Sequence, residues 1–248
     1  TDKQDAFEVA GRGELQIAVL IETLRREGYE FAVSRPEIIL REVDGERCEP
    51  VEDVVIDVPE QCAGTVMERL SERKGRMGLM EHKGDRIHLQ FTVPSRCLFG
   101  YRNEFLTSTR GEGILYRAVR GYEPFAGELE GRSVGAIVST DTGQTTPHAI
   151  FKIQERSTLF VPTGQPVYEG QVVGEARRPG DLNVNVCRAK KLDNMRASGK
   201  DDSVIITPHR KLTIETAMEW IESDELLEVT PENLRLRKRV LAANLRKR

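Results

Sequence analysis

The stretch covering residues 54–120 changes its hydrophobic period in an order that few folds accommodate. Residues 54–58 (Val-Val-Ile-Asp-Val) read as a strand. Ala63, Val66, Met67 and Leu70 then recur at helical spacing, and Gly75 marks the end of that helix. Residues 76–82 are strand-like and Lys83-Gly84-Asp85 forms a tight turn. Ile87, Leu89, Phe91 and Val93 alternate with His88, Gln90 and Thr92, the period-2 pattern of a half-buried strand. Leu98, Tyr101 and Phe105 mark a second helix, and residues 113–120 a last strand. The succession β-α-β-β-α-β is that of the split βαβ, or ferredoxin-like, arrangement.

The flanks carry weaker signals. Ahead of this domain, Ile17, Leu20, Ile21 and Leu24 form one apolar stripe on a helix expected over Glu14–Arg26, with Gly28 as its stop. Residues 31–33 and 37–41 are strand-like, and this first segment is too small to bury a core alone. After the domain come short β segments at 135–139, 157–161, 167–175 and 182–188. Thr213 then caps a helix whose stripe is Ile214, Ala217, Met218 and Ile221. Residues 226–229 and 234–236 flank Thr230-Pro231-Glu232-Asn233, a hairpin signal. The tail after Arg237 reads as basic and partly helical. The expected class is therefore α+β. A ferredoxin-like domain (46–127) follows a partial ferredoxin-like half-domain (1–45). It precedes a β-rich C-terminal domain (128–248) with one main helix and a long basic loop.

That loop begins at Arg188 and runs to Asp202 without hydrophobic periodicity. It contains Arg188, Lys190, Lys191, Arg196 and Lys200 against Asp193, Asp201 and Asp202, with Asn194, Ser198 and Gly199 between them. Loops of this length are functional or disordered, and this composition suits phosphate-rich surfaces such as folded RNA. A plain solvated loop explains it at least as well on composition alone. The overall charge of −3 argues against a uniformly basic nucleic-acid binder. The charge is unevenly placed, however: residues 188–248 hold 14 basic and 10 acidic side chains, and residues 235–248 hold seven basic and no acidic ones. Arg235, Arg237 and Lys238 are candidates for the same role, with a solvated face an even alternative.

Other chemistry is weakly signalled. Cys48, Cys62, Cys97 and Cys187 are too widely spaced for a zinc site, and such sparse cysteines suit a reducing cytoplasm. No apolar run reaches membrane-span length, and the polar start has no signal-peptide core. The first residue is Thr1 rather than Met, which fits a portion of a longer protein. There is no Gly-x-x-x-x-Gly-Lys-Ser/Thr loop and no Gly-x-Ser-x-Gly elbow. Gly11-Arg12-Gly13 before a helix is a weak anion-site signal, outweighed by simple helix entry. His82 and His88 flank a hairpin and are near enough in sequence to meet across it, although surface positions are the simpler reading. Trp220, Phe91 and Tyr116 read as packing residues rather than base-stacking ones.

Several motifs resemble known translation factors. Gly11-Arg12-Gly13-Glu14-Leu15-Gln16, Arg25-Arg26-Glu27-Gly28-Tyr29 and Ser34-Arg35-Pro36 resemble the second half of domain III in translational GTPases of the elongation factor G type. Arg73-Lys74-Gly75-Arg76, Val93-Pro94-Ser95, Phe99-Gly100-Tyr101-Arg102 and residues 107–113 look like their domain V. Val167-Tyr168-Glu169-Gly170-Gln171, the run from Lys190 to Gly199, and Asp224-Glu225-Leu226-Leu227-Glu228-Val229-Thr230-Pro231 resemble the C-terminal domain of the TypA/BipA family.

The resemblance implies a ribosome-binding portion of a larger GTPase, without catalysis of its own. GTP and Mg²⁺ would belong to the parent and no cofactor to this portion. It implies docking near the factor site, reach toward the A-site tRNA and peptidyl transferase centre, and ties to large-subunit assembly and to stress or cold. Lys190, Lys191, Asn194, Arg196, Ser198 and Lys200 would contact large-subunit rRNA or tRNA. A cytoplasmic monomer without membrane contact is the default. The rival reading is a protein-interaction scaffold with an incidental basic loop; a standalone enzyme ranks below both.

Overall fold

The computed structural model describes residues 6–11, 13–128, 132, 134–189 and 205–246. In chain order the helices and strands are α1 (Glu14–Arg26), β1 (Phe31–Ser34), β2 (Arg41–Val43), β3 (Glu46–Pro59), α2 (Glu60–Glu72), β4 (Arg76–Lys83) and β5 (Arg86–Pro94). Then follow α3 (Tyr101–Ser108), β6 (Ile114–Pro124), β7 (Ala136–Ser139), β8 (Gly143–Gln144), α4 (Pro147–Gln154), β9 (Ser157–Leu159) and β10 (Pro166–Val167). The last are β11 (Gln171–Ala176), β12 (Leu182–Val184), α5 (Ile214–Trp220), β13 (Glu225–Val229) and β14 (Leu234–Lys238). These elements form two compact units, one over Pro36–Glu130 and the other from Thr1–Arg35 together with Gly131–Arg248.

In the Pro36–Glu130 unit, β3 pairs antiparallel with β5 and with β6, and β4 pairs antiparallel with β5. The resulting order β6-β3-β5-β4 is the ferredoxin-like one expected from the hydrophobic periods. Val54, Ile56 and Val58 of β3 and Leu89, Phe91 and Val93 of β5 form one apolar face. Cys62, Ala63, Val66 and Leu70 of α2 and Tyr101 and Phe105 of α3 cover it. Glu60 in the first turn of α2 and Arg69 in its last suit the helix dipole. The helix stops where Lys74 takes φ 58° and the Gly75 N–H donates to the Leu70 carbonyl at 2.7 Å.

Period-2 geometry corrects the reading of Tyr116 as a packing residue and decides between the two readings of His82 and His88. Phe91 lies opposite Val54 and Tyr116 opposite Val55, so the two aromatics project from opposite faces. Phe91 is core, whereas Tyr116 is 65% exposed on the uncovered face. His88 stands opposite Glu81, and His82 opposite Ile87, so the two histidines do not face each other. Residues 37–40 form no strand; pairing starts at Arg41, where β2 meets the beginning of β3.

In the other unit the main sheet has the order β1-β13-β14-β11-β7-β12, with β9 also on β11. Its pairs are antiparallel except β12 with β7. Residues 1–45 were expected as a partial half-domain, separate from the C-terminal domain and too small to bury a core alone. Instead β1 pairs with β13, Phe31 opposite Val229 through Ser34 opposite Leu226. Ala18 and Ile21 of α1 share a core with Ala217 and Met218 of α5 and with Val138, Val172 and Leu236. A helix and a short strand cannot close a core alone, and the division falls after Arg35 rather than after residue 45. The expected hairpin is present: β13 and β14 pair from Glu225–Lys238 to Val229–Leu234. Thr213 caps α5 by accepting from the Thr216 N–H at 3.2 Å. Among its described residues, the basic tail contributes a short 3-10 turn, Ala243–Leu245. Trp220 packs edge-on against Phe160, ring centroids 5.3 Å apart, and donates from Nε1 to Glu175 at 2.7 Å. It is a packing residue, as its place beside the apolar stripe implies.

All four cysteines are free thiols. Burial pushes the Cys97 thiol up to about 11, because the thiolate is poorly solvated there. Cys187 is only half-buried, while the other three are buried. Brief iodoacetamide treatment of the native protein at mildly alkaline pH is therefore expected to alkylate Cys187 first, read by peptide mass spectrometry. Alkylation of Cys97 at the same rate would contradict this packing.

Candidate nucleic-acid interface

The candidate surface is organised by α4, a helix that hydrophobic periodicity did not single out. Its local cues are present all the same: Thr146-Pro147 supplies an N-cap and a proline at the first helical position. The Thr146 hydroxyl oxygen accepts from the Ala149 N–H at 3.2 Å. Ala149 and Ile150 are buried, and Ile153 packs partly buried against the core of Ile137, Val173 and Val186.

Both ends of α4 hold the chain on either side of the basic segment. At the N-terminal end the Thr146 N–H donates to the Val186 carbonyl at 3.0 Å, and its hydroxyl donates to the Arg188 carbonyl at 2.6 Å. At the C-terminal end the Gln154 side chain donates to the Ile205 carbonyl at 3.0 Å and accepts from the Thr207 N–H at 2.9 Å. Arg188 and Ile205, described residues on either side of the segment, are thus held at opposite ends of the helix. Arg188 is exposed at the entry. Lys190, Lys191, Asn194, Arg196, Ser198 and Lys200 lie outside the described residues.

The three basic candidates on β14 separate into two kinds. Arg235 stands opposite Glu228, and Arg237 forms an ion pair with Glu228 at 2.8 Å. Glu228 also accepts from the Tyr168 hydroxyl. Arg235 and Arg237 are half-buried on the outward side of the strand. Lys238 corrects the expectation. It shares the parity of Leu234 and Leu236, and its side chain points inward at 2% exposure. Its ammonium is 2.6 Å from Asp181, 2.8 Å from Asp224 and 2.9 Å from Glu225. Three N–H donors meet three carboxylates, so no donor remains for phosphate.

Lys238 belongs to a charged cluster that no sequence motif announced. Glu225, fully buried, also accepts from both terminal nitrogens of Arg132 at 3.1 Å. Arg132 donates to the Trp220 carbonyl at 2.9 Å and lies 3.6 Å from the Trp220 ring centroid, a close cation–π contact. Its backbone N–H donates to Glu222, which also pairs with Arg35. Burial alone would lower the Lys238 pKa. The facing Glu225 charge and the hydrogen bonds to Asp181, Asp224 and Glu225 override it and hold the pKa above its ordinary value. Burial acts to raise the Asp181 pKa, but the Lys238 hydrogen bond and the Ala136 N–H bring it below the ordinary range. This cluster ties the turn before β13 to the end of β14 and the start of β12; it is architecture rather than a binding surface.

Comparison with known proteins gives a consistent result. Residues 134–243 match the family described as the TypA/BipA C-terminal domain, and residues 46–132 match the elongation factor G C-terminus. The chain is 49% identical over 251 aligned residues to the large ribosomal subunit assembly factor BipA of Haemophilus influenzae. It is 48% identical over 250 residues to the proteins of that name from Salmonella typhimurium and Bacillus subtilis. Each alignment takes in 100% of this chain and 41% of the relative, so the chain spans about two fifths of the length of these relatives.

Proposed function

Because the chain is a TypA/BipA family segment, carrying that family's C-terminal domain after one of the elongation factor G type, we propose that it is the ribosome-docking, RNA-binding portion of a translational GTPase acting in large-subunit assembly. The observation that carries this reading is the match along the whole chain to proteins named as large ribosomal subunit assembly factors. The placement of α4 supports it, since this helix pins both flanks of the basic segment that begins at Arg188. In this reading the ferredoxin-like unit docks near the factor site. The segment from Arg188 to Lys200 reaches toward the A-site tRNA and the peptidyl transferase centre, its Lys and Arg side chains neutralising phosphates while Asn194 and Ser198 fix orientation. Arg235 and Arg237 provide a secondary contact. GTP and Mg²⁺ serve the parent protein; the sequence of this chain has no phosphate loop that fits them. The setting is the cytoplasm, and the process one of assembly under cold or other stress.

The test is co-sedimentation with ribosomes across a salt series, wild type against Lys190→Ala/Lys191→Ala/Arg196→Ala. About five phosphate contacts to loop or single-stranded RNA give a log–log salt slope of roughly −3.5. The triple variant is expected to bind at least ten-fold more weakly, on the order of 1.4 kcal/mol, with a slope flattened by about 2. Equal binding by both proteins would remove the basic segment from the interface. A nearly flat slope in wild type would favour the rival reading, a scaffold that holds a protein partner by apolar contacts.

A further inference from the structure

The C-terminal end of α4 brings together residues that are far apart in sequence and were not singled out by any motif. Phe151 is 42% exposed, and among the described residues from 134 to 246 it is the one exposed aromatic side chain. With Ala149, Ile150 and Ile153 turned into the core, Phe151 and Lys152 occupy the outward side of the helix. Arg156 lies just past the C-cap of the helix, where its N–H donates to the Ile153 carbonyl at 2.9 Å. The Arg156 carbonyl accepts from the Arg177 N–H at 3.0 Å, which sets the exposed Arg177 and Arg178, just beyond β11, beside it. Lys152, Arg156, Arg177 and Arg178 are all exposed, and among the described residues none has an ion-pair partner within 4.0 Å. Glu155 is the single acidic side chain on this stretch of the helix.

We propose that Phe151, Lys152, Arg156, Arg177 and Arg178 form a second RNA-contacting surface, in which Phe151 stacks on an unpaired base and the four cations hold the flanking phosphates. This rests on the RNA-binding reading above and extends it to a helix face outside the basic segment. Charge complementarity selects the occupant. A protein-docking surface has an apolar centre depleted of charge and of lysine, whereas an exposed aromatic on a stretch rich in unpaired cations suits single-stranded nucleic acid. The base has to be unpaired, because a duplex keeps its bases stacked and out of reach of a side chain. The hydrogen bonds from Gln154 to Ile205 and Thr207 hold the residues that follow the basic segment one turn from Phe151.

The test is fluorescence anisotropy of the intact chain with a short fluorescein-labelled single-stranded RNA, and with its duplex as a second probe. Phe151→Leu keeps an apolar side chain but loses the ring, and is expected to weaken single-strand binding by roughly 10-fold, within the range for one base stacked on an aromatic. Phe151→Trp is expected to restore it, which loss of fold alone would not allow. Lys152→Gln/Arg156→Gln/Arg177→Gln is expected to flatten the log–log salt slope by about 2. Wild-type affinity in Phe151→Leu, or an unchanged slope in the triple variant, overturns the proposal. If these variants weaken ribosome co-sedimentation while leaving binding of the labelled RNA intact, the surface takes a protein and the RNA assignment is overturned. The two readings fail separately. Ribosome binding lost only through Lys190, Lys191 and Arg196 overturns this inference and leaves the ribosome-docking reading standing. A wild-type chain that binds neither RNA nor ribosomes overturns both.

Discussion

Lys238→Met lowers the unfolding free energy by about 3–5 kcal/mol, the cost of breaking a buried ion pair from one side. Methionine nearly matches the lysine stem in volume, so packing changes little and charge dominates. The variant leaves Glu225 buried at 0% exposure with Arg132 as its one cationic partner, and takes the ammonium away from Asp181 and Asp224. Urea denaturation should show a lower midpoint at an unchanged m-value. A loss below about 1 kcal/mol would mean that water or Arg132 compensates the carboxylates, and the architectural role assigned to the cluster would fall. The same variant separates the two roles considered for Lys238: if its ammonium is committed to carboxylates, the salt slope of the proposed ribosome binding is unaltered while the protein remains folded. The pH dependence has a definite sign. Asp181 has a lowered pKa in the fold, so its contribution is present above its ordinary value of about 3.9 and is lost as pH falls through the folded value. Lys238 has a raised one, so its contribution holds below about 10.4 and is lost as pH rises through the folded value. Wild type should therefore lose stability at both extremes, and Lys238→Met should flatten the alkaline limb.

Phe105→Ala is expected to cost about 3–5 kcal/mol, the range for deleting a buried aromatic ring. Phe105 is 1% exposed on α3, beside Tyr101 at a centroid distance of 6.0 Å, in the core formed with Leu89, Phe91 and Val66. Its ring also explains Gly113. A Cβ at that position would stand 2.5 Å from the tip of the Phe105 ring and 2.8 Å from the Thr109 hydroxyl oxygen. Gly113→Ala is thus destabilising by overpacking, on the order of 1–3 kcal/mol. In the Phe105→Ala background part of that overlap disappears, so the two costs should be less than additive. Urea titrations of the two single variants and the double variant give the coupling. Strict additivity would show that ring and glycine do not meet, and a cost of Phe105→Ala below about 1 kcal/mol would place the ring outside the core.

The ferredoxin-like unit was legible because its signals are local. Period-2 alternation over Ile87, Leu89, Phe91 and Val93 and helical spacing over Ala63, Val66 and Leu70 need no knowledge of distant partners. The hairpin around Thr230-Pro231-Glu232-Asn233 was legible for the same reason. α4 escaped notice because eight residues carry barely two turns of pattern, and its cue is one capping residue and one proline. The inward course of Lys238 was available from parity with Leu234 and Leu236. What the alternation could not supply was the reason a lysine survives inside, since its three carboxylate partners come from positions 181, 224 and 225.

By itself the amino-acid sequence determined the order of elements in the central unit, the β13–β14 hairpin, the capped start of α5, and the concentration of positive charge between Arg188 and Lys200. Only the tertiary structure decided that β1 completes the sheet of the C-terminal unit through β13. It alone decided that Lys238 is a buried partner of carboxylates, and that Arg156 lies against Arg177 at the end of α4. The physical reason is the range of the interactions. Periodicity and capping are set by residues within a turn or two of each other, whereas strand partnership, charge compensation and surface clustering depend on which distant segments the buried cores bring into contact.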